Sequence, residues 1–274
     1  MPKTHLRPLL GAILAATAVG VVTAAELKPR TVEAFDRYVA VTESRMRTEL
    51  EGEAPFLRVD RLADDARAEV QAELRAGQVV VEKLETRADG NTIDIPDGTI
   101  NHLVGTVLIP ETTLEETIAM VQDYDRYAQI YAPQVRESRL LSRDGNRFTA
   151  YTQTYKKKVI TAVHNTEHDV EFIYLDRHRV HAPSYSTRIQ EVEHPDSPEE
   201  REKPEGNDRG IVWRLYNYCS FEERSGDTYM QCESITLSRE FNFFQNLVIR
   251  PFIAGLPEEL MTFTLGAARR YLTQ

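Results

Sequence analysis

Across residues 135–239 apolar side chains recur at every second position, and from Leu256 the spacing switches to that of a helix. A long run of alternation followed by one late change of period leaves few folds open. Alternation is the pattern of antiparallel sheet with one face turned inward. Segments 135–142, 147–158, 160–174, 179–193, 210–222 and 228–239 read as six strands. Asp144-Gly145-Asn146 and Ser225-Gly226 are hairpin-turn sequences. The terminal helix has Pro257, Glu258 and Glu259 in its first turn and Arg269 and Arg270 in its last, charges that complement the helix dipole. Leu260, Phe263, Ala267 and Tyr271 form one apolar row, and Met261, Leu265, Ala268 and Leu272 form a second beside it. Two adjoining rows make a face wider than a surface helix uses, so this helix is expected to lie across the sheet.

Upstream the pattern is helical first. Val32, Phe35, Val39, Thr42, Met46 and Leu50 predict a helix from Glu26 to about Glu51. A second is expected from about Asp60, with Leu62, Ala66, Val70 and Leu74 on one side and Gly77 as its stop. Residues 78–84 read as a strand. Turn chemistry at Asp89-Gly90-Asn91 and Pro96-Asp97-Gly98 divides an N-terminal helical extension, 26–94, from a main domain, 95–274. That domain opens with a strand from Ile100 to Ile109. Thr112 and Thr113 are each followed three residues on by glutamate, so either can form a capping box. The helix they start carries Leu114, Ile118, Val121 and Tyr124 and is expected to end at Ala132-Pro133. Residues 193–209, rich in Pro, Glu, Asp and Gly, read as a mobile surface loop.

The first residues have the order of a secretion signal: Lys3 and Arg7, an uncharged apolar run from Leu9 to Val22, then Val22-Thr23-Ala24-Ala25. About 14 residues of helix span ~21 Å, short of a ~30 Å hydrocarbon core, so cleavage near Ala24/Ala25 is expected rather than anchoring. Residues 1–25 are thus a signal peptide, and the mature protein is periplasmic or secreted. They hold two of the 33 basic residues and none of the 43 acidic ones, so the net charge of −10 becomes −12 on their removal. A far field that acidic excludes nucleic acid as a partner. Lys156-Lys157-Lys158, the densest basic run, reads as a solvated strand end. Cys219 and Cys232 flank Ser225-Gly226. If the hairpin closes on those two residues the cysteines face each other and can form a disulfide, which export permits. The alternative is two buried thiols.

The order of strand, helix pair, six antiparallel strands and one long terminal helix resembles the START-like helix-grip superfamily, which includes polyketide cyclases, lipid-transfer domains and the birch-pollen allergen group. The likeness covers residues 95–274. It is carried by Asp123-Tyr124-Asp125, Tyr131-Ala132-Pro133 and Val135-Arg136-Glu137-Ser138, then by Leu237-Ser238-Arg239 and the apolar run to Pro251-Phe252 before Pro257. The resemblance implies an α+β fold in which a curved antiparallel sheet of about seven strands wraps the C-terminal helix. It also implies a cavity between them for an apolar molecule such as a lipid, quinone, sterol or polyketide. Tyr131, Tyr151, Trp213, Leu215, Tyr216, Ile235, Phe252, Leu260 and Phe263 are the candidate lining residues; for any one of them plain core packing is the competing reading. The apolar stretch Phe241–Gly255 is either a mouth that touches a bilayer transiently or packing at the junction of sheet and helix.

His164-Asn165-Thr166-Glu167-His168 spells an inverted zinc-protease motif, but that motif works on a helix. Its surroundings, Val159 to Val163 and Asp169 to Tyr174, are β-branched strand sequence, where residues four apart are ~13 Å apart. Two imidazoles so spaced cannot share one zinc. No metal, cofactor or catalytic set is therefore assigned. Phosphate-binding, dinucleotide-binding and nucleophile-elbow motifs are absent from the sequence. Arg188, Tyr151, Tyr155 and His181 are the polar groups with which a cyclase or hydrolase could work in such a cavity. The expectation is an exported carrier of an apolar small molecule. An enzyme using the same cavity, and an envelope protein-interaction module with the N-terminal extension as docking arm, are the alternatives.

Overall fold

The computed structural model describes residues 25–157, 161–240 and 255–274. Helices α1 (Pro29–Glu51) and α2 (Asp64–Arg75) come first, then strands β1 (Val80–Lys83) and β2 (Gly98–Ile109). Helix α3 (Leu114–Gln122) and the short α4 (Tyr127–Ile130) follow. Strands β3 (Val135–Asp144), β4 (Arg147–Lys157), β5 (Thr161–Glu171), β6 (Arg179–Glu193), β7 (Arg214–Arg224) and β8 (Asp227–Arg239) lead to helix α5 (Leu256–Leu272). The N-terminal segment, Lys158 and Phe252 lie outside the described residues, as does nearly all of Phe241–Gly255.

Turn chemistry sets the register. Ser225 and Gly226 both take positive φ (55° and 88°), the backbone of a two-residue hairpin turn, so Arg224 faces Asp227. Counting outward, Cys219 meets Cys232, and the two form a disulfide with Cα atoms 4.1 Å apart. Asp144 likewise faces Arg147 across Gly145-Asn146. The main path of the sheet runs β1-β2-β8-β7-β6-β5-β4-β3, antiparallel throughout. It has eight strands where about seven were expected, because Val80–Lys83 pairs with residues 103–106 of β2. Residues 173–174 and 201–202 add short pairings to β6. One face of the curved sheet holds α5, the helix-grip arrangement of an α+β fold.

Both faces of the central strands are covered. On the concave face Leu103, Val107, Phe148, Val180, Phe221 and Met230 pack with Ile118, Tyr124 and Tyr131 from the α3–α4 region and with Met261 and Leu265 of α5. On the outer face Phe35, Tyr38, Val39 and Met46 of α1 cover Trp213, Tyr218, Ile235 and Leu237. Phe56, Leu57 and Leu74, from α2 and the segment before it, cover Leu108.

Thr113, not Thr112, caps α3: its hydroxyl accepts from Glu116 N, and the Glu116 carboxylate accepts from Thr113 N. The helix stops at Gln122 rather than at Ala132-Pro133. Tyr127 Oη donates to Val121 O at 2.5 Å, satisfying a carbonyl that further helix would have used. Residues 193–209 depart from the loose loop expected of their composition. Arg201-Glu202 pairs with Val192-Glu193, and Asn207-Asp208 pairs with Ala25-Glu26. Buried Asp208 accepts from Gly210 N at 2.6 Å and from Trp213 Nε1 at 3.1 Å, so charges anchor a segment that has little apolar surface to bury.

Candidate functional site

The register turns the concave face into rows that change character along the strands. Val107, Met230, Phe221 and Val180 form a fully buried apolar row near α3. The next row is Gly105, the Cys219–Cys232 disulfide and Ala182. Beyond it come Leu103, Ser234, Asn217 and Ser184, and then Asn101, Thr236 and Leu215, with Ser186 and His168 continuing across β6 and β5. Ile189, Thr166 and Thr152 make the last of these rows. From Ser234 onward most of these side chains are half-buried rather than buried. The interior is solid at the α3 end and becomes polar and accessible toward the start of α5.

The position of α5 explains the change. A Cβ on Gly105 would stand 2.6 Å from Met261 Cγ and 2.7 Å from Leu265 Cδ1, so the helix touches the sheet on bare backbone. It also packs against β1, α3 and α4. At the rim Lys156, near the end of β4, forms an ion pair with Glu259 in the first turn of α5. A recess of about 150 Å³ enters near this helix start, bounded by Lys83, Leu84, Asn101, Leu103, Pro257 and Glu258.

His168 is the central polar group. Its Nδ1 lies 3.4 Å from Ser184 Oγ, and among the described residues nothing is hydrogen-bonded to its Nε2. Burial keeps the imidazole neutral by lowering its pKa to about 4. His164, on the same strand and face, is also pushed down to about 4 by burial, and its Nε2 has no partner among the described residues. Next to it Glu191 is held by Arg209, whose backbone N also donates to that carboxylate at 2.8 Å. Thr152 and Thr166 join hydroxyls at 2.7 Å. The His-x-x-Glu-His run therefore lies on a strand, with Glu167 on the opposite face bonded to Arg188.

The lining residues expected from sequence divide into three groups. Leu215 is half-buried on the concave face, and Leu260 and Phe263 are half-buried on α5, with Phe263 packed against the concave core. Tyr131 is core, stacked edge-on with Tyr127 at 4.9 Å. Trp213, Tyr216 and Ile235 are corrected: they pack on the outer face under α1, because that helix buries a surface that otherwise would have met solvent. Tyr151 is corrected too. It points outward, with the Arg139 guanidinium 4.0 Å over its ring and its hydroxyl donating to Asn165 at 3.0 Å. The four polar candidates for catalysis also sit on the outer face: Tyr151, Tyr155 under Arg136, His181 beside Ser220, and Arg188 between Glu167 and Glu202. Sequence reasoning missed His168, Ser184 and Asn217 as lining; alternation counted outward from Ala182 and Cys219 would have found the last two.

A larger cleft of about 450 Å³ lies between α3 and the 174–177 turn, with Glu115, Asp176, Arg177 and Glu223 on its walls. It is at the solid end of the domain, away from His168.

No protein-family model matches the chain, and no curated protein matches it. Among solved structures it is similar to a STAR-related lipid transfer protein from Xanthomonas axonopodis (11% identity, TM-score 0.46, covering 71% of this chain and 99% of that one). It is similar to the Zhui aromatase/cyclase from Streptomyces sp. R1128 (11%, 0.46, 64% and 94%) and to human STARD10 (13%, 0.42, 81% and 84%). The helix-grip arrangement of this chain rests on its own strand order and the gripped terminal helix described above, and at such identity nothing about activity transfers.

Proposed function

We propose that the protein is an exported carrier that holds an apolar small molecule in the hollow between the concave sheet and α5. The observation that carries this reading is the gradient along the concave face. Buried aromatic and aliphatic rows give way to half-buried rows, although α5 lies over the sheet and an ion pair links its first turn to β4. Protein interiors are close-packed, so partly accessible inward-facing side chains mark room for a guest. Export is supported by the order of residues 3–25 and is compatible with the Cys219–Cys232 disulfide.

The enzyme reading draws on one contact, Ser184 with His168. Among the described residues no carboxylate is hydrogen-bonded to that imidazole: Asp169 lies on the other face, where it accepts from Thr149 at 2.8 Å. The docking-arm reading has less support, since α1 is packed onto the sheet through Phe35, Tyr38 and Met46.

Native mass spectrometry of protein purified from the extracytoplasmic fraction without detergent tests the proposal. A bound organic species of a few hundred daltons, released by solvent, is expected. Protein that is empty and takes up neither a fluorescent sterol nor a quinone overturns it, and recovery of the chain from the cytoplasm with residues 1–25 intact overturns export.

A further inference from the structure

Resting on the export half of that reading, we infer that the leader is cut between Ala24 and Ala25, and that the α-ammonium released at Ala25 docks on the buried carboxylate of Asp208. The structure pairs the two residues directly. Ala25-Glu26 runs antiparallel to Asn207-Asp208, with Ala25 opposite Asp208, and Leu27 N donates to Gly206 O at 2.7 Å. Side chains of opposed residues in such a ladder stand on one side, ~5 Å apart at Cβ. Both belong to the layer under α1: Ala25 packs against the core that holds Trp213, and Trp213 Nε1 donates to Asp208 Oδ1. Asp208 is 1% exposed. Its Oδ1 also receives Gly210 N, whereas its Oδ2 is enclosed and has no hydrogen-bond partner among the described residues. Burial raises the carboxyl pKa, as expected of an anion without its counterpart.

The charges that act on Asp208 do not fill that place. Glu191 has the same sign and is held by Arg209, and Lys203 is paired with Glu193 at 3.8 Å. The field of Arg239 reaches Asp208, but no hydrogen bond joins it to Oδ2. A buried carboxylate with one oxygen unmet is strongly unfavourable and calls for a donor, best a cation. A chain that starts at Ala25 supplies one. Hydrolysis of the Ala24–Ala25 amide by a signal peptidase consumes one water. It leaves a carboxylate on Ala24 and an α-amine on Ala25, which is mostly protonated at neutral pH. The sequence also allows a cut one residue later, because Thr23 and Ala25 are small as well. That cut would remove Ala25 and start the chain at exposed Glu26, opposite Asn207. Of the two, the earlier sets a cation against Asp208. Before it, Ala25 N is an uncharged amide, so processing completes the fold.

N-terminal sequencing of protein from the extracytoplasmic fraction is the first test. Ala25 is expected; Glu26 as first residue overturns the inference and leaves export standing, whereas residues 1–25 intact remove both. The second test compares the chain that begins at Ala25 with one that carries Val22-Thr23-Ala24 ahead of it, both with the Cys219–Cys232 disulfide closed. The extension moves the α-ammonium ~10 Å along the strand. The chain that begins at Ala25 is expected to melt about 5 °C or more above the extended one. Asp208→Asn keeps an acceptor for Gly210 N and Trp213 Nε1 and removes the charge. It should lower the midpoint of the shorter chain and leave that of the extended chain level or higher. Equal effects in the two chains overturn docking. Should the variant fail to fold, acylation of the α-amine in wild-type protein decides. At pH 7 it is expected to be at least ten-fold slower in the native state than in urea, and equal rates overturn docking.

Discussion

Gly105 has no side chain, and α5 occupies the space. Gly105→Val would drive a branched side chain into Met261 and buried Leu265. Overpacking of this kind costs about 1–3 kcal/mol, so a lowered thermal midpoint is expected; an unchanged one would mean the helix is not seated there. The same scale shows what single residues disclose in a sequence. The cysteine pairing was legible because two residues of turn chemistry fix a register that arithmetic can follow. Trp213, Tyr216 and Ile235 were not assignable in the same way. Aromatic and branched residues mark a buried face, and here both faces of the central strands are covered, so side-chain type could not say which one meets α5. Trp213 precedes the start of β7 at Arg214, outside the alternation that holds from Leu215 onward.

At the scale of elements, α1 is bound to the outer face through polar contacts as well as apolar ones. His102 stands 2.9 Å from Tyr38 Oη through Nδ1 and 2.6 Å from Glu233 through Nε2, and Arg45 of α1 reaches the same Glu233 carboxylate. Glu43 accepts from Tyr185 and Tyr218 at 2.9 and 2.8 Å. Glu233→Ala leaves Arg45 and His102 without the carboxylate and should lose about 3 kcal/mol in urea unfolding, with Glu233→Gln losing less. Equal, small losses in both would show that the network contributes little. A bulge explains why Arg188 failed as a cavity residue. Strict alternation from Ala182 through Ser186 puts Arg188 inside, but β6 carries an extra residue at Thr187. Arg188 therefore pairs with Glu167 on the outer face, and Ile189 turns inward. Nothing in the composition around Thr187 signals that insertion, whereas the hairpins and the terminal helix were readable from turns and periodicity.

For the molecule as a whole, three histidines that burial keeps neutral shape the response to mild acid. His164, His168 and His181 are each lowered by burial from 6.5 to about 4. The unfolded chain binds these protons below 6.5 and the folded one does not. Their contribution is therefore complete above pH 6.5, falls as pH drops toward 4 and is flat below, each worth at most about 3 kcal/mol. Unfolding midpoints measured from pH 7.5 to 4 should decline across that window; a level profile would mean the imidazoles are protonated in the native state. The N-terminal half of the molecule was the least legible part. Its helices were readable, but their docking depends on long-range contacts such as Tyr38 with His102, which local pattern does not encode.

The Lys156–Glu259 pair has a kinetic consequence. It acts as a hasp between the curled flank of the sheet and the root of the last helix, and both partners keep some contact with water. A partly solvated clasp of this sort is worth about 1 kcal/mol or less and weakens as dissolved ions crowd around it. Uptake of a fluorescent guest should accordingly quicken between 0.05 and 0.5 M sodium chloride (roughly a three-fold drop in Debye length), and Lys156→Met should be fast at both. Salt-independent uptake would mean the door swings elsewhere.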